Sequence, residues 1–156
     1  PPAVAASLSF NNATASMSDF LFSGVLVRFP DLRLAYSEGQ IGWIPYILER
    51  ADDVWKEHRA WGGVADLVPE PPSTYYYRQI FGCFFRDNHG LRSLEEVGVD
   101  NITFETDYPH TDTTWPNTKQ VATEMMGHLP ADVVWKIVRG NAARMLSLDI
   151  EACPVG

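Results

Sequence analysis

Basic residues are scarce in this sequence: 12 Lys and Arg stand against 20 Asp and Glu over 156 residues, a net charge of -8. With no basic stripe to neutralise phosphates, nonspecific nucleic-acid binding is argued against. Only two cysteines are present, Cys83 and Cys153, too few for a disulfide framework. Cys83 lies inside the apolar run 80–85 and reads as a reduced thiol packed as a small hydrophobe. Cys153 falls in the terminal tail. No apolar run reaches the length of a membrane span, and no basic-then-apolar signal segment opens the chain. No membrane partner is therefore expected, and the cytoplasm is the default location. No glycine-rich loop follows a predicted strand, so nucleotide binding has little support. The four histidines, His58, His89, His110 and His128, include no His-x-His pair. Asn12-Ala13-Thr14 and Asn101-Ile102-Thr103 match the N-glycosylation pattern, which recurs by chance and is discounted.

What is present has the make-up of a folded α/β segment: 46% hydrophobic and 21% charged residues. Residues 1–15 are small and polar and read as a loop, after which Ser16 or Ser18 caps a helix that runs toward Phe29 and stops at Pro30-Asp31. Residues 32–36 form a short strand and 37–42 a glycine-bearing loop. From Trp43 to about His58, Ile44, Ile47, Leu48, Ala51, Val54 and Trp55 line one helical face, with Pro45 in the first turn. Residues 61–73 hold two adjacent glycines and three prolines and form a long connection. A helix over 74–79 leads into a strand at 80–85, and Tyr75, Tyr76 and Tyr77 are mainly structural. A short helix at 91–97 ends at Gly98, a third strand spans 102–106, and helices follow over 118–127 and 130–139. Gly140 is placed just past the end of that last helix, and Asn141 caps a closing helix over 142–148. Strands alternating with helices argue for consecutive β/α units.

The most informative stretch is Ile102-Thr103-Phe104-Glu105-Thr106-Asp107-Tyr108-Pro109-His110. A short β-prone segment ends in an acidic residue, then an aromatic, a proline and a histidine. A buried parallel strand delivering a carboxylate to its C-terminal end reads this way. In α/β barrels those ends form the active face, where a carboxylate is placed for metal binding or proton transfer. An Asp capping the next segment, or satisfied in a tight turn, gives the same residues, so both readings stand at this point. Three predicted strand ends carry ionisable groups: Glu38 after the first, Arg86, Asp87 and His89 after the second, Asp107 and His110 after the third. Parallel neighbouring strands would gather them on one face.

Phe104-Glu105-Thr106-Asp107-Tyr108-Pro109-His110, with Trp115-Pro116 beyond it, resembles the last-strand motif of the amidohydrolase-related proteins. These include metal-dependent hydrolases and decarboxylases similar to aminocarboxymuconate-semialdehyde decarboxylase. Gly140-Asn141-Ala142-Ala143-Arg144-Met145-Leu146 resembles the family's closing helix, and Glu38-Gly39-Gln40-Ile41-Gly42-Trp43-Ile44-Pro45-Tyr46 its strand-six loop and the helix after it. The three motifs stand in the family's order, and the resemblance covers the chain from about Ser18 onward. It implies an α/β fold, the C-terminal part of a (β/α)8 TIM barrel: strands six to eight with their helices. Such a barrel typically takes about 250 residues. The opening Pro1-Pro2-Ala3-Val4 reads as the middle of a protein. Residues 1–148 are accordingly expected to be the C-terminal portion of one barrel domain, with 149–156 a loose tail.

The resemblance also implies a chemistry. The intact protein is expected to be a metal-dependent hydrolase or decarboxylase of a small carboxylated or cyclic substrate, using Zn2+ or Mn2+. Asp107 would bind the metal and handle a proton. The family's first-strand His-x-His or Glu-x-His pair and its fifth-strand histidine are not found here, so the chain alone is expected to hold no ion tightly and to be inactive. The histidine that decarboxylase-like members carry at the end of strand six is also missing from Ala35-Tyr36-Ser37-Glu38-Gly39. Glu38 is the nearest group able to carry a proton and takes that role, with a loop carboxylate bonded to backbone N–H groups as the alternative. His110 is assigned to the substrate or to a hydrogen bond with Asp107, and Trp43 to an apolar wall of the site. A non-catalytic barrel module that has lost the histidine chemistry is the rival reading. Beyond a small-molecule substrate, the expected partner is a second copy or the missing half, because open strand edges and bare apolar faces invite pairing.

Overall fold

The apolar runs read from the sequence form three short strands in the computed structural model, which describes residues 1–150. They are β1 (Leu34–Tyr36), β2 (Ile80–Phe84) and β3 (Ile102–Phe104), in the sheet order β1-β2-β3. β2 and β3 run parallel, with Gly82 opposite Ile102, Cys83 opposite Thr103 and Phe84 opposite Phe104. All five residues of β2 are buried, which suits a parallel strand covered on both faces and explains its unbroken apolar reading. The fold is α/β with a parallel pair, as the alternation of patterns implied. β1 starts two residues later than its predicted run, while β2 and β3 end one and two residues before theirs, as the chain turns into the loops that follow.

Residues 1–34 and 43–80 form one compact unit. Its helices are α1 (Pro2–Ser7), α2 (Asn11–Phe22), α3 (Val25–Arg28), α4 (Ile44–His58) and α5 (Pro72–Gln79). The predicted loop over residues 1–15 is wrong: that segment is helical in two pieces. The Ser16/Ser18 cap is wrong with it, since α2 starts at Asn11 and the Ser18 hydroxyl donates back to Thr14 O at 3.0 Å. Small and polar residues of this kind tolerate a helix when an apolar stripe, here Met17 and Leu21, is buried. The helix breaks at Gly24, whose φ of 73° lies in the left-handed region, instead of running to Phe29. α4 matches its amphipathic pattern, with Ile44, Leu48 and Ala51 buried. It is pinned by Trp55, whose Nε1–H donates to Val68 O at 2.7 Å, giving the irregular 61–71 connection a fixed contact. Asp52 holds the start of α5 by accepting from Ser73 N–H (2.9 Å) and the Ser73 hydroxyl (2.6 Å). Tyr75 and Tyr76 are buried and Tyr77 is exposed, a mainly structural trio as read.

The second unit comprises residues 35–42 and those from 81 onward. It holds most of the sheet and α6 (Asn88–Arg92), α7 (Leu94–Val97), α8 (Thr118–Met126), α9 (Ala131–Trp135) and α10 (Asn141–Met145). α9 does not end at Gly140. A π-helical turn over Lys136–Gly140 joins it to α10, and Gly140 has helical φ and ψ of -60° and -44°. A Cβ there would lie 2.2 Å from Trp135 Cζ3, so glycine is required by the ring that the wide turn lays over it, not by a chain reversal. Asn141 is likewise no cap. Its Nδ2 donates to Val99 O and Ile102 O, both at 2.7 Å, and ties α10 to the start of β3. Arg144 adds a bond to Asp100 O and lies over the Phe81 ring, 4.8 Å from its centroid.

Cys83 is buried, and the Thr103 hydroxyl donates to its Sγ at 2.9 Å across the β2–β3 pair. Burial pushes its thiol pKa up. A thiol reagent should label Cys83 in the folded protein at less than about a hundredth of its rate in denaturant, read by peptide mass mapping. Equal rates would remove Cys83 from the core. Cys153 and the tail from residue 151 lie outside the described residues. Among the described residues no helix is long and apolar enough to cross a membrane.

Candidate active site

β3 ends at Phe104, but Glu105 N–H still donates to Phe84 O at 2.9 Å, so the strand direction carries one residue further before the chain bends. Asp107 makes the bend with a φ of 56°, a conformation Asp tolerates better than most L residues. The segment after it closes on itself. Thr114 N–H (2.9 Å) and the Thr113 hydroxyl (2.8 Å) donate to Thr106 O, and His110 N–H donates to Asp107 O at 2.9 Å. That closure fixes both Asp107 and His110 by short-range bonds. The Asp107 side chain is 4% exposed while that of His110 is 61% exposed, so a buried carboxylate supports an imidazole open to solvent.

His110 Nδ1 lies 2.7 Å from Asp107 Oδ1 and 3.3 Å from Glu38 Oε1. Of the residues singled out from the sequence, the structure thus brings Glu38, Asp107 and His110 together. Their ligand-type atoms all lie within 4.8 Å of one another. It does not bring in the groups after β2. Asp87 turns back to accept from Ile41, Gly42 and Gly90 N–H groups, and His89 is exposed in α6. Trp43 is half-buried at the entry to α4, within the first unit. Glu105 is a participant the sequence reading passed over. Its Oε1 accepts Glu38 N–H at 2.6 Å. The signal was available: Glu105 is a second acidic residue in the same strand-end motif, two positions before Asp107.

The electrostatics follow from this crowding. The Asp107 hydrogen bond, and then the nearby Glu38 charge, raise the pKa of His110 above the ordinary imidazole value. Burial raises the pKa of Glu105, an effect that the Glu38 N–H opposes and the Glu38 and Asp107 charges reinforce. A raised imidazole pKa means that the charged pair stabilises the folded loop fully below the unfolded value and loses that contribution as pH rises through the folded one. In the metal-free chain, NMR titration should give His110 a midpoint above the usual imidazole range, and Asp107→Asn should lower it. An unchanged midpoint in that variant would show that Asp107 does not hold the proton on His110.

The sequence and the fold have counterparts among known proteins. The amidohydrolase family profile Amidohydro_2 matches residues 4–148. The chain belongs to the amidohydrolase family. Among solved structures, this amidohydrolase chain is similar to 5-carboxyvanillate decarboxylase LigW from Sphingomonas paucimobilis, with 26% identity and a TM-score of 0.69 over 85% of this chain and 38% of that one. An amidohydrolase, map2389c, from Mycobacterium avium subsp. paratuberculosis K-10 shares the fold at 22% identity and a TM-score of 0.70, covering 94% and 36%. So does a dihydroxybenzoic acid decarboxylase from Polaromonas sp. JS666, solved with bound manganese and the inhibitor 2-nitroresorcinol, at 18% identity and a TM-score of 0.68, covering 94% and 43%. The chain therefore spans 36–43% of the length of these structures. No curated protein matches the sequence significantly.

Family membership implies a divalent metal, and the donor set is of the right kind: carboxylate oxygens with one imidazole nitrogen suit Zn2+ or Mn2+. The sequence counted Asp107 alone, whereas the structure adds Glu38 and His110 as ligand-type groups beside it. Two ligand atoms on a tetrahedral ion with bonds of about 2.1 Å stand about 3.4 Å apart. The 2.7 Å between Nδ1 and Oδ1 is instead a hydrogen-bond length, so the His110 proton is what bridges to Asp107 here. Asp107 fits a metal-ligand role, with His110 as its hydrogen-bonded neighbour.

Proposed function

We propose that this chain forms strands six to eight of an amidohydrolase barrel, and that the complete enzyme is a metal-dependent hydrolase or decarboxylase of a small carboxylated or cyclic substrate. The observation that carries the reading is the convergence of Glu38 and His110 on the buried Asp107 carboxylate at one end of the parallel strands. Asp107 is the residue of this chain that would hold the divalent ion, which when bound supplies a Lewis acid for the substrate or for a water. Asp107 also keeps the Nδ1 proton of His110 in place, so that Nε2 is the atom left to exchange a proton. Glu38, 3.3 Å from the same imidazole, is the auxiliary acid or base. In a decarboxylation such a group protonates the carbon that loses CO2; in a hydrolysis it takes a proton from water. His110 is the proposed substrate contact, and the remaining half of the barrel, or a second copy, is the proposed cover for the open strand edges.

The rival reading of a non-catalytic barrel rests on Glu38 standing where decarboxylase-like members have a histidine. An imidazole is nevertheless supplied in space by His110, from the loop after β3. The test is to assay the complete protein with Mn2+ or Zn2+ against a panel of aromatic and cyclic carboxylic acids, following CO2 release and hydrolysis separately. Turnover is expected for the wild type, and Glu38→Gln should lower it at least about tenfold without loss of metal. No turnover of any panel member by the metal-loaded wild type would favour the non-catalytic module.

A further inference from the structure

The loop over residues 37–42 carries two non-glycine residues in the left-handed region, Glu38 with φ 58° and Gln40 with φ 56°. L residues hold that conformation only where their surroundings fix it. Two carboxylates do so here. Glu105, whose own N–H is bonded to Phe84 O at 2.9 Å, accepts Glu38 N–H at 2.6 Å. Asp87 Oδ2 accepts the N–H groups of Ile41 (2.8 Å) and Gly42 (2.6 Å), and its Oδ1 accepts Gly90 N–H at 2.8 Å. The packing leaves no slack: a Cβ on Gly42 would stand 2.9 Å from Asp87 Oδ1, and one on Gly90 would stand 2.3 Å from Ile41 Cγ1.

We propose that Glu105 is a positioning residue, which together with Asp87 clamps this loop so that the Glu38 carboxylate stands against His110. The inference rests on the assignment of Glu38 as an acid or base. Glu105 acts through the backbone of Glu38: the one short bond its Oε1 is shown to make is to that N–H, and it is half-buried while Glu38 and His110 are exposed. A charged acceptor on a backbone N–H is stronger than a neutral one, which suits a bond that must hold a strained residue.

The test is made by NMR on the isotope-labelled protein without metal or substrate. Glu105→Met keeps the bulk and removes the acceptor. Glu38 amide exchange should then quicken at least about tenfold, while the amides of Phe84 and Ile102 stay protected. The nuclear Overhauser contact between the Glu38 side chain and the His110 ring should fall with it. Glu105→Gln retains an acceptor oxygen and should restore both signals toward wild type; a merely structural role would move the core amides along with Glu38. A Met variant with wild-type Glu38 exchange and His110 contact would overturn the proposal, as would a Gln variant that loses both. If the Met variant does not fold, the Gln variant decides alone, with retained contact supporting the clamp and lost contact refuting it. Undiminished turnover in Glu38→Gln would sink the catalytic assignment instead, so the two failures are distinguishable.

Discussion

Asp107→Asn should lower turnover of the complete enzyme at least about a hundredfold, the loss expected when a positioned acid–base or ligand group is removed. The amide keeps the size but carries no charge to balance a cation, is a poorer ligand, and is no base at neutral pH. It also weakens the 2.7 Å bond between the residue-107 side chain and His110 Nδ1, which fixes the His110 proton. The fold should survive for two reasons. Asn accepts a φ near 56° about as readily as Asp, and the segment after Asp107 is closed by bonds to Thr106 O, which the substitution does not touch. Circular dichroism should therefore be unchanged. Near-normal turnover would leave Asp107 a capping or scaffold role.

Asn141→Ala should destabilise the chain by about 2–4 kcal/mol. It removes two hydrogen bonds of 2.7 Å and leaves the carbonyls of Val99 and Ile102 without that donor, in a side chain 3% exposed. Those carbonyls flank the start of β3, so the loss falls on the strand that delivers Asp107. Urea unfolding of wild type and variant measures it. A difference below about 0.5 kcal/mol, the level of an ordinary surface substitution, would show that the tie between α10 and β3 contributes nothing.

The strand-end motif was legible because apolar β-prone runs and their acidic ends are local signals, and Ile102, Thr103 and Phe104 do form β3. α4 was legible through its helical apolar face. The N-terminal helices were missed because Ala, Ser, Asn and Thr give no strong periodicity, and burial of Met17 and Leu21 decides the matter in three dimensions. Gly140 and Asn141 were read with the commonest local meanings of glycine and asparagine at a helix boundary. Their actual roles, clearance for the Trp135 ring and a bridge to Val99 and Ile102, depend on a π turn and on residues about 40 positions away. In the site, Asp107 and His110 are three apart and could be paired from sequence, whereas the approach of Glu38 depends on how its loop is held by Glu105 and Asp87.

The metal content of the complete protein, measured by elemental analysis after exhaustive dialysis for wild type and Asp107→Asn side by side, tests the metal-site assignment most directly. The expected result is about one divalent ion per wild-type chain, and loss of most of it in the variant, since a catalytic site of this kind rests on about three protein ligands. A folded variant that keeps the full complement of metal, or a wild type that holds none when supplied with Mn2+ or Zn2+, would contradict it.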